Sequence, residues 1–203
     1  MKKTLLTLTF ISAALALVGA ADEKDFHPLF NGKDTNGWHL RNANGHNSWT
    51  VKDGVLKNTV KPGEHETDLV TDQKFWNFTV KFDYLVPDNS NSGFYLRGRH
   101  ELQILGDHAS GTNSPVGNGA LYNFKAPDKF VSRPGDEWQT VEATISGSKI
   151  TVVLNGVTVH DHVECNQATG GQLDDKVDQP GQIFLQGDHG TVSFRNLRIK
   201  ELN

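Results

Sequence analysis

The chain has 203 residues, a formal net charge of −4, one cysteine and 36% hydrophobic residues. That length suffices for a domain with a sizeable core. The acidic balance argues against a nucleic-acid partner, and a lone cysteine excludes an intramolecular disulfide. Such a chain must stand on its apolar core.

Residues 1–20 read as a secretory signal peptide. Lys2 and Lys3 form the charged start, and Leu5 to Val18 is an apolar run broken only by Thr7, Thr9 and Ser12. Val18-Gly19-Ala20 supplies small residues for cleavage after Ala20 or Ala21. The run is short for a membrane span. Cys165 lies far from the signal, so no lipid-anchored cysteine follows it. A periplasmic or secreted protein is expected, with no membrane attachment after cleavage and with Cys165 free.

No long segment keeps a helical period; short alternating runs lie between turn signals instead. Trp49-Thr50-Val51 leads through Asp53-Gly54 into Val55 to Asn58, and Asp-Gly between two such runs signals a hairpin. Phe78 to Leu85 places Phe78, Val80, Phe82 and Tyr84 on one face and Thr79, Lys81 and Asp83 on the other.

Asn91 to Leu105 is the most informative stretch. Taken as two strands joined at Gly98-Arg99, it puts Phe94, Leu96, Leu102 and Ile104 on one face. Tyr95, Arg97, Glu101 and Gln103 fall on the other. The first set suits a core. The second gathers an aromatic ring, a guanidinium, a carboxylate and an amide, a mixture that suits the hydroxyls and apolar ring faces of a sugar. The plainer reading is an Arg97–Glu101 cross-strand ion pair on a wet sheet face.

Residues 106–119 form a polar, Gly-rich loop, long enough to carry function. Trp138 to Ile145 alternates as a strand. Lys149 to Leu154, Asn155-Gly156 and Val157 to His160 make the clearest hairpin in the chain. Gln182 to Gln186 and Thr191 to Leu202 close the pattern. Many short strands with Gly-rich turns indicate an all-β, two-sheet sandwich, one sheet curved to offer a concave face.

Several blocks occur in an order that resembles the 3-keto-disaccharide hydrolase domain family. They are Leu29 to Asp34 with Gly37-Trp38, the strand Phe78 to Leu85, Asn91-Ser92-Gly93 with Leu96-Arg97-Gly98, and Glu101 to Leu105. Gly119 to Tyr122, Glu137 to Thr140, Leu154 to Val157, Gly187 to Gly190 and Phe194 to Ile199 follow. The resemblance spans about Phe26 to Leu202 and implies an antiparallel jelly-roll sandwich of the concanavalin-A-like lectin/glucanase type. Glu101 to Gly106 is also similar to the Glu-x-Asp-x-x-Glu strand of laminarinase-type glucanases, but Gln103 and Gly106 replace the second and third acids. On that strand Glu101 alone cannot run a double displacement.

The family resemblance implies a glycoside already oxidised at C3. The ketone acidifies the C2 proton, a base removes it, the aglycone leaves from C1, and water adds to the enone. Such a site needs a base, an enolate stabiliser and a proton donor to the leaving oxygen. Glu101 is the candidate base or metal ligand, Arg97 the candidate stabiliser, and His189 in Gly187-Asp188-His189-Gly190 a candidate base, acid or ligand. Tyr95, Gln103, Tyr122 and Gln186 are candidate substrate contacts, and Asp83 a candidate supporting carboxylate. His100, Asp107 and His108 cluster near Glu101 in sequence; a divalent metal there would suit enolate stabilisation, although no ligand spacing is diagnostic. The four tryptophans are expected mostly in the core. The expected partner is a carbohydrate, an oxidised glycoside. The alternative is a non-catalytic carbohydrate-binding jelly roll in which the same residues only contact hydroxyls. A glycosidase acting on unoxidised sugar is the third reading.

Overall fold

The computed structural model describes residues 23–61, 63, 64 and 66–203. The expected signal peptide lies outside the described residues. The strands are β1 (His27–Pro28), β2 (Trp38–Leu40), β3 (Trp49–Lys52), β4 (Val55–Asn58), β5 (Leu69–Phe75), β6 (Phe78–Leu85) and β7 (Asn91–Leu96). They continue as β8 (His100–Leu105), β9 (Gln139–Ser146), β10 (Lys149–Leu154), β11 (Val157–Glu164), β12 (Gly181–Leu185) and β13 (Val192–Glu201). The helical elements among the described residues are two single 3-10 turns, at Glu23–Asp25 and His108–Ser110.

Two antiparallel sheets pack face to face. One runs β11-β10-β9-β6-β13-β4-β3, with β1 added on β13; the other runs β2-β5-β12-β7-β8. This is the all-β jelly-roll sandwich expected from the sequence. The alternation decides which face is buried. Val80, Phe82 and Tyr84 of β6 point inward, as do Phe94 and Leu96 of β7 and Leu102 and Ile104 of β8. Phe82 stacks on Phe94 at 4.3 Å between ring centroids, joining the two sheets. Each ring so buried contributes roughly 1.5–3 kcal/mol, and this core carries the fold without a disulfide.

Both Asx-Gly hairpins form. Asp53 and Gly54 have φ of 52° and 78°, and Asn155 and Gly156 have φ of 52° and 79°. These are the paired positive values of a type I′ turn, whose twist matches that of its strands. The hairpin after β7 departs from expectation. Its central pair is Arg97-Gly98, with φ of 53° and 70°, and the Arg99 N–H donates to Leu96 O. Arg97 is therefore a turn residue and leaves the strand alternation.

Two connections shape the outer face of the second sheet. After β8 the chain doubles back along this strand: Gly119 N–H donates to Gln103 O, Gln103 N–H to Ala120 O, and Tyr122 N–H to Glu101 O. The loop 106–119 is anchored through Asp107, which accepts from Asn118 N–H and from the Ser132 hydroxyl. The segment between β11 and β12 folds over the other end. Leu173 packs there on an apolar cluster of Val70, Tyr95 and Phe184. What stays open lies towards the Asp68 end of β5 and the Gln186 end of β12.

Of the four tryptophans, Trp38 and Trp49 are in the core. Trp76 and Trp138 instead lie under arginines, Arg97 at 3.6 Å and Arg195 at 4.0 Å from the ring centroids. Asp83 pairs with Arg195 on β6 and β13, in the sheet opposite Glu101, and so does not support that carboxylate.

Candidate active site

Glu101 lies on β8, the last strand of the second sheet, on the side away from the core, and is 2% exposed. Gly93 makes room for it. A Cβ at Gly93 would come within 2.3 Å of Glu101 Oε1, so the absence of a side chain lets the carboxyl lie across β7. The Tyr95 hydroxyl donates to this carboxylate. Burial pushes the Glu101 carboxyl up to about 7; the Tyr95 hydrogen bond and the His189 charge oppose the rise, and Asp68 and Asp188 add to it.

Three groups from other elements converge on the same end. His189 stands on the exposed turn after β12, its Nδ1 bonded to the Asp188 carboxylate. That hydrogen bond, with the charges of Asp188, Glu101 and Asp68, raises the His189 pKa against the effect of burial. Burial also raises Asp188, but the His189 hydrogen bond and charge bring it below the ordinary carboxylate range. Asp68 accepts from Gly187 N–H at 2.9 Å and from Arg41 at 3.0 Å, and burial still raises its pKa. A cavity of about 450 Å³ lined by Arg41, Asn42, Glu66, Thr67, Asp68 and Asp188 opens on one side of this turn. A second of about 780 Å³ opens on the other, between the turn and residues 87–90.

The structure thus brings Glu101 and His189 together and sends Arg97 elsewhere. The Arg97 guanidinium donates to Trp76 O, Gly147 O and Asn77 Oδ1. It is 1% exposed, and burial with the nearby Arg99 charge lowers its pKa to about 10. Because Arg97 occupies the turn, it neither pairs with Glu101 nor faces the cleft. Tyr95 is also corrected. Its ring stacks on Phe184 at 3.7 Å, and a Cβ at Gly171 would stand 2.5 Å from its hydroxyl. Covered on both counts, it holds Glu101 rather than offering a platform to a sugar.

Gln103 and Gln186 also lie on the outer side of the second sheet, but both are buried, at 3% and 9% exposure. Gln103 Nε2 donates to Val116 O at 3.3 Å, and the Oε1 atoms of both glutamines are buried without a partner among the described residues. Gln186 is anchored by its N–H on Gly93 O, which places it beside Glu101. Tyr122 is half-buried at the rim, its ring 3.8 Å from a Cβ built on Gly170. The grouping of His100, Asp107 and His108 does not form. His100 is buried, where burial and two arginine charges lower its pKa to about 4, Asp107 is held by Asn118 and Ser132, and His108 Nδ1 bonds Ser132 O.

Asp68, Arg41 and Phe184 escaped the sequence reading. Asp68 precedes β5, where an aspartate reads as a turn residue, and Arg41 sits in a polar loop after β2. Only the pairing of β5 with β12 and β2 brings Asp68 within electrostatic reach of Glu101, with Arg41 bonded to Asp68. Their arrival also removes one argument against a glycosidase: Glu101 has carboxylate neighbours, although they come from other elements.

Known proteins agree with this architecture. A crystal structure from Parabacteroides distasonis, provisionally described as a glycosyl hydrolase, is similar at 29% identity and a TM-score of 0.72, over 88% of this chain and 84% of that one. A second from the same organism, with the same description, aligns at 23% identity and a TM-score of 0.73, over 93% and 99%. The carbohydrate-binding module CBM66 from Bacillus subtilis shares the fold at 14% identity and a TM-score of 0.51, over 81% of this chain and 96% of that one. No curated protein matches the chain by sequence. Residues 25–200 match the 3-keto-alpha-glucoside-1,2-lyase-like domain. The chain belongs to this family, a carbohydrate-related jelly roll of the glycosyl hydrolase-like or carbohydrate-binding kind.

Proposed function

We propose that the protein is an exported enzyme that cleaves 3-keto-glycosides by elimination and hydration. The observation that carries this reading is one buried carboxyl with a raised pKa, Glu101, beside an Asp-supported histidine whose pKa is also raised, His189. A carboxyl pushed up to about 7 and a histidine raised above its ordinary value fit an acid–base pair. The family match supports the substrate class, and the apolar run with basic start at residues 1–20 supports export to the periplasm or medium.

In this mechanism ionised Glu101 takes the C2 proton, and the electron pair moves onto the C3 ketone as an enolate. Arg41 supplies the positive field that Arg97 does not. The enolate collapses to a C1–C2 double bond, the bond from C1 to the aglycone oxygen breaks, and protonated His189 donates to that oxygen. Water then adds, hydroxyl to C1 and proton to C2. Glu101 is 2% exposed, so the sugar must displace part of its cover to bring C2 against it. Gln186 and Tyr122 contact the sugar at the rim.

The test is aglycone release by the mature protein from a 3-keto-glucoside and from its unoxidised parent. Release from the keto sugar alone is expected. Release from both at similar rates would indicate a glycosidase using Asp68 or Asp188 with Glu101. Saturable sugar binding without release from either would indicate the binding module.

A further inference from the structure

We infer that His46, Glu64 and Glu66 form a binding site for a divalent cation of the zinc or manganese type. Their donor atoms lie within 4.8 Å of one another. They come from the loop between β2 and β3 and the loop between β4 and β5, which meet where His46 bridges to Glu66.

Glu66 is the anchor. Its side chain is fully buried although the loop that bears it is at the surface. Oε2 meets His46 Nδ1 at 2.5 Å, while Oε1 is buried with no hydrogen-bond partner among the described residues. The nearby Ser48 hydroxyl donates instead to Asn58 Oδ1. A buried carboxylate oxygen without a donor is costly. A second carboxylate, Glu64, comes within 4.8 Å of Glu66, and two carboxylates at that distance repel when both are ionised. A cation resolves both. The opposing explanation is that Lys61 neutralises Glu64, but that contact is 3.7 Å long and made by a side chain 69% exposed, of a kind worth little.

The donor set suggests the ion. One imidazole and two carboxylates suit zinc or manganese, with the remaining positions open to water. Ligand bonds of about 2.1 Å place donors up to about 4.2 Å apart, so closing the site needs movements below about an ångström. His46 and Glu64 are exposed, and their side chains can make that movement. The bound ion would tie together two loops beside the cavity that Asp68 and Asp188 line. This site stands independently of the reaction proposed above.

The test is calorimetric titration of untagged mature protein, freed of metal, with Zn²⁺ and with Mn²⁺, together with thermal melting. One equivalent is expected to bind and to raise the melting temperature by mass action. Affinity should fall at least about tenfold in His46→Ala and in Glu64→Gln. Without metal, His46→Ala should melt lower than the wild type, because Glu66 Oε2 loses its donor, whereas Glu64→Gln should melt at or above the wild-type value. His189→Ala should bind the ion as the wild type does. No saturable binding of either metal below about 1 mM would overturn the inference. So would unchanged affinity in His46→Ala, or binding lost only in His189→Ala.

Discussion

At the scale of single residues, the account rests on Glu101 and His189. Glu101→Gln keeps the shape and removes the base, so turnover should fall by about 10²–10⁴-fold with substrate binding little changed. A fall in affinity alone would mean a binding role. The pH dependence follows from the same two groups. Turnover should rise with pH as Glu101 ionises near 7 and fall again as His189, raised above 6.5, loses its proton. The two limbs belong to the coupled pair rather than to either residue. His189→Ala should remove the alkaline limb.

Stability should move with Glu101 as well. Its pKa is about 7 when folded, against an ordinary 4.5. Between those values the folded state binds more protons than the unfolded state, so stability falls as pH rises from 4.5 to 7. Glu101→Gln removes that penalty. It should melt higher than the wild type at pH 8, by about 2–4 °C for each kcal/mol relieved, and melt alike at pH 4. A variant that melts lower at both would show that the carboxylate is structural. A buried charge that lowers stability while serving chemistry is a familiar trade between stability and activity.

At the scale of elements, the β7–β8 hairpin shows what an alternating pattern can and cannot reveal. Phe94, Leu96, Leu102 and Ile104 face the core as the period of two requires. Arg97 broke the pattern because the turn sits one residue earlier than Gly98-Arg99, and a left-handed turn residue points off the sheet. Its guanidinium instead ties Trp76 and Asn77, where the chain crosses from β5 in one sheet to β6 in the other, to Gly147 O. Arg97→Ala should therefore cost about 1–3 kcal/mol in urea unfolding, because Trp76 O and Gly147 O lose the donor that Arg97 supplies and the Trp76 ring loses its stacked guanidinium. The folded fraction should turn over within about twofold of wild type. A large loss of turnover with unchanged unfolding would restore Arg97 to the reaction. Gly93→Ala separates the two roles in the opposite direction. Its methyl would stand 2.3 Å from Glu101 Oε1, which displaces the carboxyl. We expect a loss of turnover of about 10²-fold with little change in melting temperature.

At the scale of the whole molecule, the sandwich was legible because hydrophobic alternation and Asx-Gly turns are local signals, and both reappear in β6, β9 and the two short hairpins. The site was legible only in part. Glu101, Gln103, Gln186 and His189 lie on or beside the expected face, because two of them share β8 and the others follow β12. Asp68 and its partner Arg41 were invisible, since Asp68 comes near Glu101 only through pairings of strands distant in sequence. The cover over Tyr95 was equally hidden: the segment between β11 and β12 has no periodicity, and contacts distant in sequence place it, Leu173 on Val70, Tyr95 and Phe184, and Asp174 on Arg99.

The central claim is that Glu101 removes the proton from C2 of an oxidised sugar. The most direct measurement is turnover of a 3-keto-glucoside deuterated at C2, followed by mass spectrometry and by rate. The account predicts loss of the label to solvent in the released sugar and a slower reaction than with the protonated substrate, with both the label loss and the turnover collapsing in Glu101→Gln. Aglycone release with the deuterium retained at C2, at the same rate as the protonated substrate, would contradict it.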